Sequence, residues 1–125
     1  LRLHGSLWRI RCQTCVTEVA NVEVPLVQRP PYCSCGGMMR PGVVWFGEGL
    51  NPTIWDNAQE AVRTAGVLLV IGTSAVVYPA ASLVPLAKQS GATVVEINLD
   101  ETPISRAVDF SFRGLSGEIL PALRP

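Results

Sequence analysis

Four cysteines carry the most specific chemistry in these 125 residues. Cys12 and Cys15 form a C-x-x-C pair, and Cys33 and Cys35 form a C-x-C pair seventeen residues later. Two close pairs at that separation are a zinc-ribbon pattern, in which two knuckles converge on one tetrahedral ion. Four thiolates at about 2.3 Å close the coordination shell and leave no position for water, so one such zinc is structural. Gly36 and Gly37 directly after the second pair suit a knuckle whose backbone turns sharply. Two disulfides, or reduced cysteines without metal, are the competing readings; disulfides are rare in the cytosol, and nothing else here suggests secretion. His4, the only histidine, is the other candidate for chemistry. A neutral imidazole can accept a proton near pH 7, although a lone His is as readily a hydrogen-bonded surface residue.

Three further segments could hold a ligand. Gly72-Thr73-Ser74 follow the apolar run Val67–Ile71 and precede a helix, so their amides and hydroxyls could approach a phosphate near a positive helix end. Strand-to-helix turns also use such small residues for geometry alone. Asn98 and Asp100 follow the run Thr93–Ile97, where a polar side chain can bind a ribose hydroxyl or cap a helix. Gly47-Glu48-Gly49 could admit an extended ligand close to the backbone, or form an ordinary turn.

The elements that must position these residues change character near Arg40. Residues 5–40 are loop-rich, with short strands such as Leu7–Arg11. From Pro41 onward strands and helices alternate. Strands are expected over Gly42–Phe46, Val67–Gly72, Thr93–Asn98 and Val108–Phe112. Helices are expected over Pro52–Ala65, Pro79–Ser90 and Ser116–Leu123, with Ile54, Ala58, Ala61, Val62 and Ala65 on one stripe of the first. That alternation argues an α/β fold built on a parallel sheet, with ligands beyond the carboxyl ends of its strands.

Composition narrows the function. Ten basic and ten acidic residues give zero formal net charge, which excludes an electrostatically driven nucleic-acid binder or a polybasic membrane binder. Hydrophobic residues at 48% and charged residues at 16% argue against disorder. No apolar run approaches the roughly 20 residues that span a bilayer. Without a secretion signal, the expected location is cytoplasmic. Because the chain begins with Leu1 rather than Met, it reads as a fragment or processed piece.

In order, the motifs are Leu3-His4-Gly5-Ser6, C-x-x-C, C-x-C-Gly-Gly, Arg40-Pro41-Gly42-Val43-Val44-Trp45-Phe46-Gly47-Glu48, Gly72-Thr73-Ser74, Val77-Tyr78-Pro79 and Ile97-Asn98. This string resembles the sirtuin (Sir2-like) family of NAD-dependent protein-lysine deacylases over essentially the whole chain. Its Val-Val-Trp-Phe-Gly-Glu and Val-Tyr-Pro-Ala-Ala wording is similar to the bacterial and mitochondrial desuccinylase-like branch. The resemblance implies a partial Rossmann-like parallel sheet with an inserted four-cysteine zinc-ribbon module. Residues 1–4 would then hold the catalytic His, 5–40 the zinc module and 41–125 the C-terminal half of the NAD-binding domain. It implies that His4 is the general base acting on the ribose of the NAD-derived intermediate. Gly72, Thr73 and Ser74 would contact the NAD phosphates and ribose, Asn98 and Asp100 the adenine-side ribose, and Ser116 the adenine. Phe46, Gly47 and Glu48, with Val77 and Tyr78, would hold an acyl-lysine peptide as an added strand. The acyl group would pass to ADP-ribose with release of nicotinamide, while one zinc on Cys12, Cys15, Cys33 and Cys35 does no chemistry.

Two family segments are absent: the Gly-Ala-Gly-x-Ser dinucleotide loop and the Gln-Asn-x-Asp segment. The resemblance therefore implies that an N-terminal half of the same enzyme is a required partner, and that the isolated 125 residues are inactive. Acyl preference, whether acetyl, succinyl or malonyl, depends on residues of that half. A non-catalytic zinc-stapled fragment that binds NAD or a peptide is one alternative. An NADase or ADP-ribosyl transferase using the same pocket is another.

Overall fold

The computed structural model describes residues 1–123; the last two residues of the expected 41–125 segment lie outside it. The chain divides into two compact units, one over Leu1–Trp55 and one from Asp56 onward.

The first unit is built on an antiparallel sheet of three strands, β1 (Gly5–Cys12), β2 (Glu18–Ala20) and β3 (Met39–Val43), in the order β2-β1-β3. The register sets Arg11 against both Glu18 and Arg40, and Cys12 against Met39. Between Ser6 and Ile10 the β1–β3 register shifts, so β1 bulges over Leu7–Arg9, a device that bends a strand locally. The strand expected over Gly42–Phe46 lies earlier in the chain, starting at Met39 and ending at Val43. Pairing with β1 fixes its start, and a turn closed by Glu48 ends it, since both the Trp45 N–H and the Glu48 N–H are engaged within residues 45–48.

The second unit is a three-stranded parallel sheet, β4 (Val67–Ile71), β5 (Thr93–Asn98) and β6 (Phe110–Arg113), in the order β4-β5-β6. Helix α1 (Pro52–Arg63) leads into it. Pro52 opens that helix where a missing N–H costs nothing, and the Asn51 side chain caps it by accepting the Ile54 N–H at 3.2 Å. Helix α2 (Leu83–Gln89) joins β4 to β5, and α3 (Ser116–Ala122) follows β6. The expected helix Pro79–Ser90 does not run as one α-helix: a 3-10 turn over Ala80–Ser82 comes first. Pro85 explains this, because in a continuous α-helix its ring would clash with the carbonyl of Ala81. Gly91, at φ +86, ends α2, with Ala92 N–H donating to Ala87 O at 3.0 Å across the αL residue.

Val62, Val70, Val84, Ala87, Ala92 and Val94 form the core of this unit, with Leu83, Leu86, Ile104 and Val108 packed against it. Strand alternation puts Val70 inward while Val67, Leu69 and Ile71 face the other side of the sheet, where they are exposed, as are Phe110 and Phe112. An all-apolar strand such as Val67–Ile71 is the signature of a sheet covered on both faces. Within this unit the described residues bury one face, and on the other only Ile97 of β5 is fully buried.

Candidate functional site

The four cysteines meet in the first unit. Cys12 ends β1 fully buried, and its Sγ accepts the backbone N–H groups of Thr14 (3.3 Å) and Cys15 (3.5 Å). That amide-to-sulfur pattern is what a knuckle offers a thiolate. On the other side Cys33 N–H donates to Gly37 O at 2.8 Å, closing the turn that holds Cys33 and Cys35. Gly37 must be glycine: a Cβ there would stand 2.7 Å from Cys12 Sγ and 2.6 Å from Thr14 Oγ1. All four sulfurs lie within 4.8 Å of one another, with Cys12–Cys35 and Cys15–Cys33 at 3.6 Å and Cys15–Cys35 at 3.5 Å. Tetrahedral zinc with about 2.3 Å bonds sets its sulfurs about 3.8 Å apart, so the donor set fits one such ion. None of the cysteines is paired as a disulfide.

The thiols titrate unevenly. The Thr17 hydroxyl and backbone draw the Cys15 thiol down to about 6. Cys35 is held up at about 12, because crowding by the Cys15, Cys12 and Cys33 thiols outweighs the Gly37 amide that favours its charged form. A dication bound to all four sulfurs would favour the thiolate of each, which is the chemistry of a structural site.

His4 sits in an exposed turn at the start of β1. Its carbonyl accepts the Val44 N–H at 3.0 Å, and Gly5 pairs with Val43. Gly5, at φ +77, has no room for a side chain, since a Cβ would lie 2.0 Å from Gly42 O. These contacts tie the His4 turn to the chain leading into Phe46–Glu48. There, Phe46 is 96% exposed, whereas Glu48 is engaged internally. Arg40, buried, donates to Glu48 Oε1 at 2.5 Å and to Val43 O at 2.8 Å, and its guanidinium lies 4.2 Å from the centre of the Trp45 ring. Glu48 Oε2 accepts the Trp45 N–H at 3.1 Å and lies 3.5 Å from Arg11. The Trp45 amide and the Arg40 guanidinium hold the Glu48 carboxyl below its ordinary range. No local pattern in the sequence gives Arg40 a role; its burial inside a loop-closing ion pair is what makes it a site residue.

The second unit holds a cavity of about 400 Å³ at the carboxyl ends of β4 and β5. Of the residues expected to bind a ligand, Gly72, Thr73, Ser74, Asn98 and Asp100 all line it, and Ser116 does not. Glu101 and Thr102 line it as well. Gly72, at φ +59, has no atom within 4 Å of where a Cβ would stand, while its N–H is held by Ile97 O at 3.0 Å. Asn98 Nδ2 donates to Thr73 O at 2.7 Å, which braces the loop after β4 against the end of β5. Small residues, accessible amides and carboxylates at a strand-end crevice suit a nucleotide's phosphates and ribose. Val77 and Tyr78 belong to this unit too; Tyr78 is 74% exposed, and Val77 O accepts the Ala81 N–H. No helix among the described residues is long and apolar enough to cross a membrane.

Residues 1–79 match the Sir2 family. An NAD-dependent protein deacylase of Aquifex aeolicus is 48% identical over 114 residues, covering 90% of this chain and 48% of that protein. A Sir2 homologue solved as its NAD complex superposes with a TM-score of 0.92 at 48% identity, over 97% of this chain and 48% of the other. Sir2Tm bound to a propionylated peptide superposes at 0.86 with 30% identity, over 97% of this chain and 53% of the other. The chain spans about half the length of the relatives it matches.

Proposed function

Because this chain belongs to the Sir2 family, we propose that it is the catalytic-His-bearing part of an NAD-dependent protein-lysine deacylase. One observation carries the reading: the turn holding the only histidine is hydrogen-bonded to the strand that leads into an exposed, internally braced loop, Phe46–Glu48. A base next to a loop that can grip extended backbone is what acyl-lysine chemistry needs. NAD, when bound, supplies an electrophilic ribose carbon and the hydroxyl that receives the acyl group. His4 would accept the proton of the ribose 3′-hydroxyl on its imidazole. Thr73 and Ser74 would meet the NAD phosphates and ribose through amides and hydroxyls, with Gly72 leaving room beside them, and Asn98 and Asp100 would meet the adenine-side ribose. Ser116 lies toward the adenine.

In the first unit Phe46 and Gly47, and in the second Val77 and Tyr78, would each pair with peptide backbone, a grip that tolerates many sequences. Glu48 serves that segment from within, since both its oxygens are occupied by Arg40 and Trp45. Cys12, Cys15, Cys33 and Cys35 hold one zinc that keeps the first unit folded and takes no part in the reaction. An N-terminal half of the same enzyme would complete the NAD site, a reading supported by the chain spanning about half the length of its relatives, and the cytoplasm, where disulfides are rare, suits four cysteines that hold zinc. Acetyl-lysine is the first substrate to test, followed by succinyl- and malonyl-lysine. The test is His4→Ala in the full polypeptide, assayed for nicotinamide release on an acetyl-lysine peptide. Turnover should vanish with the circular dichroism spectrum unchanged; turnover at the wild-type rate rejects the reading.

A further inference from the structure

Glu96 is an anomaly in the second unit. It lies on β5 between Val95 and Ile97, on the same face as core residue Val94, and is 1% exposed. A carboxylate at such a position costs several kcal/mol in desolvation unless its oxygens are fully engaged. Here they are. The Thr102 hydroxyl donates to Oε1. Oε2 accepts from Ser105 Oγ at 2.7 Å, Ser111 Oγ at 2.7 Å and Arg113 Nη2 at 2.9 Å.

These partners come from two places. Ser111 and Arg113 are on β6, already paired to β5 through the sheet. Thr102 and Ser105 belong to the segment 99–105, which is neither strand nor helix. Asp100, Glu101 and Thr102 of that segment form one wall of the 400 Å³ cavity. Within it, Thr102 N–H donates to Ser105 Oγ at 2.8 Å, and Arg113 Nη2 reaches the same oxygen at 2.6 Å. Sheet hydrogen bonds fix β6 without Glu96, but the cavity wall depends on side-chain anchors, and they converge on this one carboxylate.

We propose that Glu96 is a positioning residue for the nucleotide site: it anchors residues 99–105 so that Asp100 and Thr102 face the bound ribose, without touching the nucleotide itself. The proposal rests on the reading of the cavity as the NAD site.

The test uses three variants of the full polypeptide. Glu96→Gln removes the charge, Ser105→Ala removes a wall-side partner, and Ser111→Ala removes a strand-side partner at the same 2.7 Å distance. Losing one or two such bonds is expected to raise the KM for NAD about fivefold or more in E96Q and S105A, with peptide KM and kcat within about twofold. Amide exchange over residues 99–105 should quicken in both. S111A should lower Tm while leaving the NAD KM unchanged. An unaltered NAD KM in E96Q, or an equal rise in S111A and S105A, overturns the proposal. If E96Q does not fold, S105A against S111A decides it alone. If the wild-type protein has no NAD-dependent turnover, the deacylase reading fails by itself. The exchange data still decide the anchoring role: faster exchange at 99–105 in S105A than in S111A supports it, and equal exchange rejects it.

Discussion

Replacing Glu96 by Gln should produce a stability loss that depends on pH in a calculable way. Burial on its own would raise the carboxyl, but hydrogen bonds from Thr102, Ser105, Ser111 and Arg113 outweigh it and hold Glu96 at about 2 rather than the ordinary 4.5. A carboxylate depressed on folding stabilises the native state above its unfolded pKa and loses that contribution as pH falls toward its folded value. The contribution is about 3 kcal/mol at pH 7, and less than half of it remains at pH 3. Gln keeps the shape and removes the charge, so the wild type minus E96Q difference isolates this one group. Glu48 and Asp109, also held low by their partners, are common to both proteins and cancel. Urea unfolding followed by circular dichroism at pH 7, 5, 4 and 3 measures the gap. It should be widest at pH 7 and shrink steadily below about pH 5. A gap that stays constant or widens on acidification refutes the assignment of a charged, stabilising Glu96.

Cys12→Ser should abolish binding of about one zinc per chain and unfold the first unit, because the metal's binding free energy is folding free energy at such sites. Metal content by emission spectroscopy with a thermal melt checks this, and an unchanged Tm in a zinc-free variant contradicts it. Arg40→Met should free Glu48 and uncover the Trp45 ring, raising the KM for an acyl-lysine peptide about tenfold while the KM for NAD stays put. Steady-state kinetics with each substrate varied in turn separates the two. Val94→Ala, at a position with 0% exposure, should cost about 2 kcal/mol in urea unfolding without changing either KM; a loss below about 0.5 kcal/mol would mean that this core is loosely packed.

The parts legible in the sequence were those with short-range signals. The cysteine spacing announced the donor cluster, and the strands Val67–Ile71 and Thr93–Asn98 were marked by apolar runs with turn residues at their ends. Residues following those strands line the cavity because a parallel sheet aligns its carboxyl ends. What stayed hidden depends on pairing across distance. The position of β3 is set by its register with β1, far earlier in the chain, which local pattern cannot supply. The expected helix Pro79–Ser90 took no account of Pro85, and the structure puts a 3-10 turn over Ala80–Ser82 before α2. Arg40 and Glu96 escaped notice as functional positions because their meaning lies in their partners: Glu48 and Trp45 for one, Thr102 to Arg113 for the other. Glu96 left one readable trace, a lone charge inside the apolar strand Thr93–Asn98. A charged residue in such a strand is retained only with its partners in place.

An enzyme of the kind proposed consumes NAD only when it removes an acyl group from lysine. The most direct measurement is nicotinamide release by the full polypeptide, with and without an acetyl-lysine peptide, read together with deacylated peptide and acyl-ADP-ribose by mass spectrometry. Negligible release is expected without peptide and, with it, equal amounts of nicotinamide, free lysine peptide and acyl-ADP-ribose. Nicotinamide released equally in the absence of peptide would make the protein a hydrolase or transferase of NAD and contradict the deacylase reading.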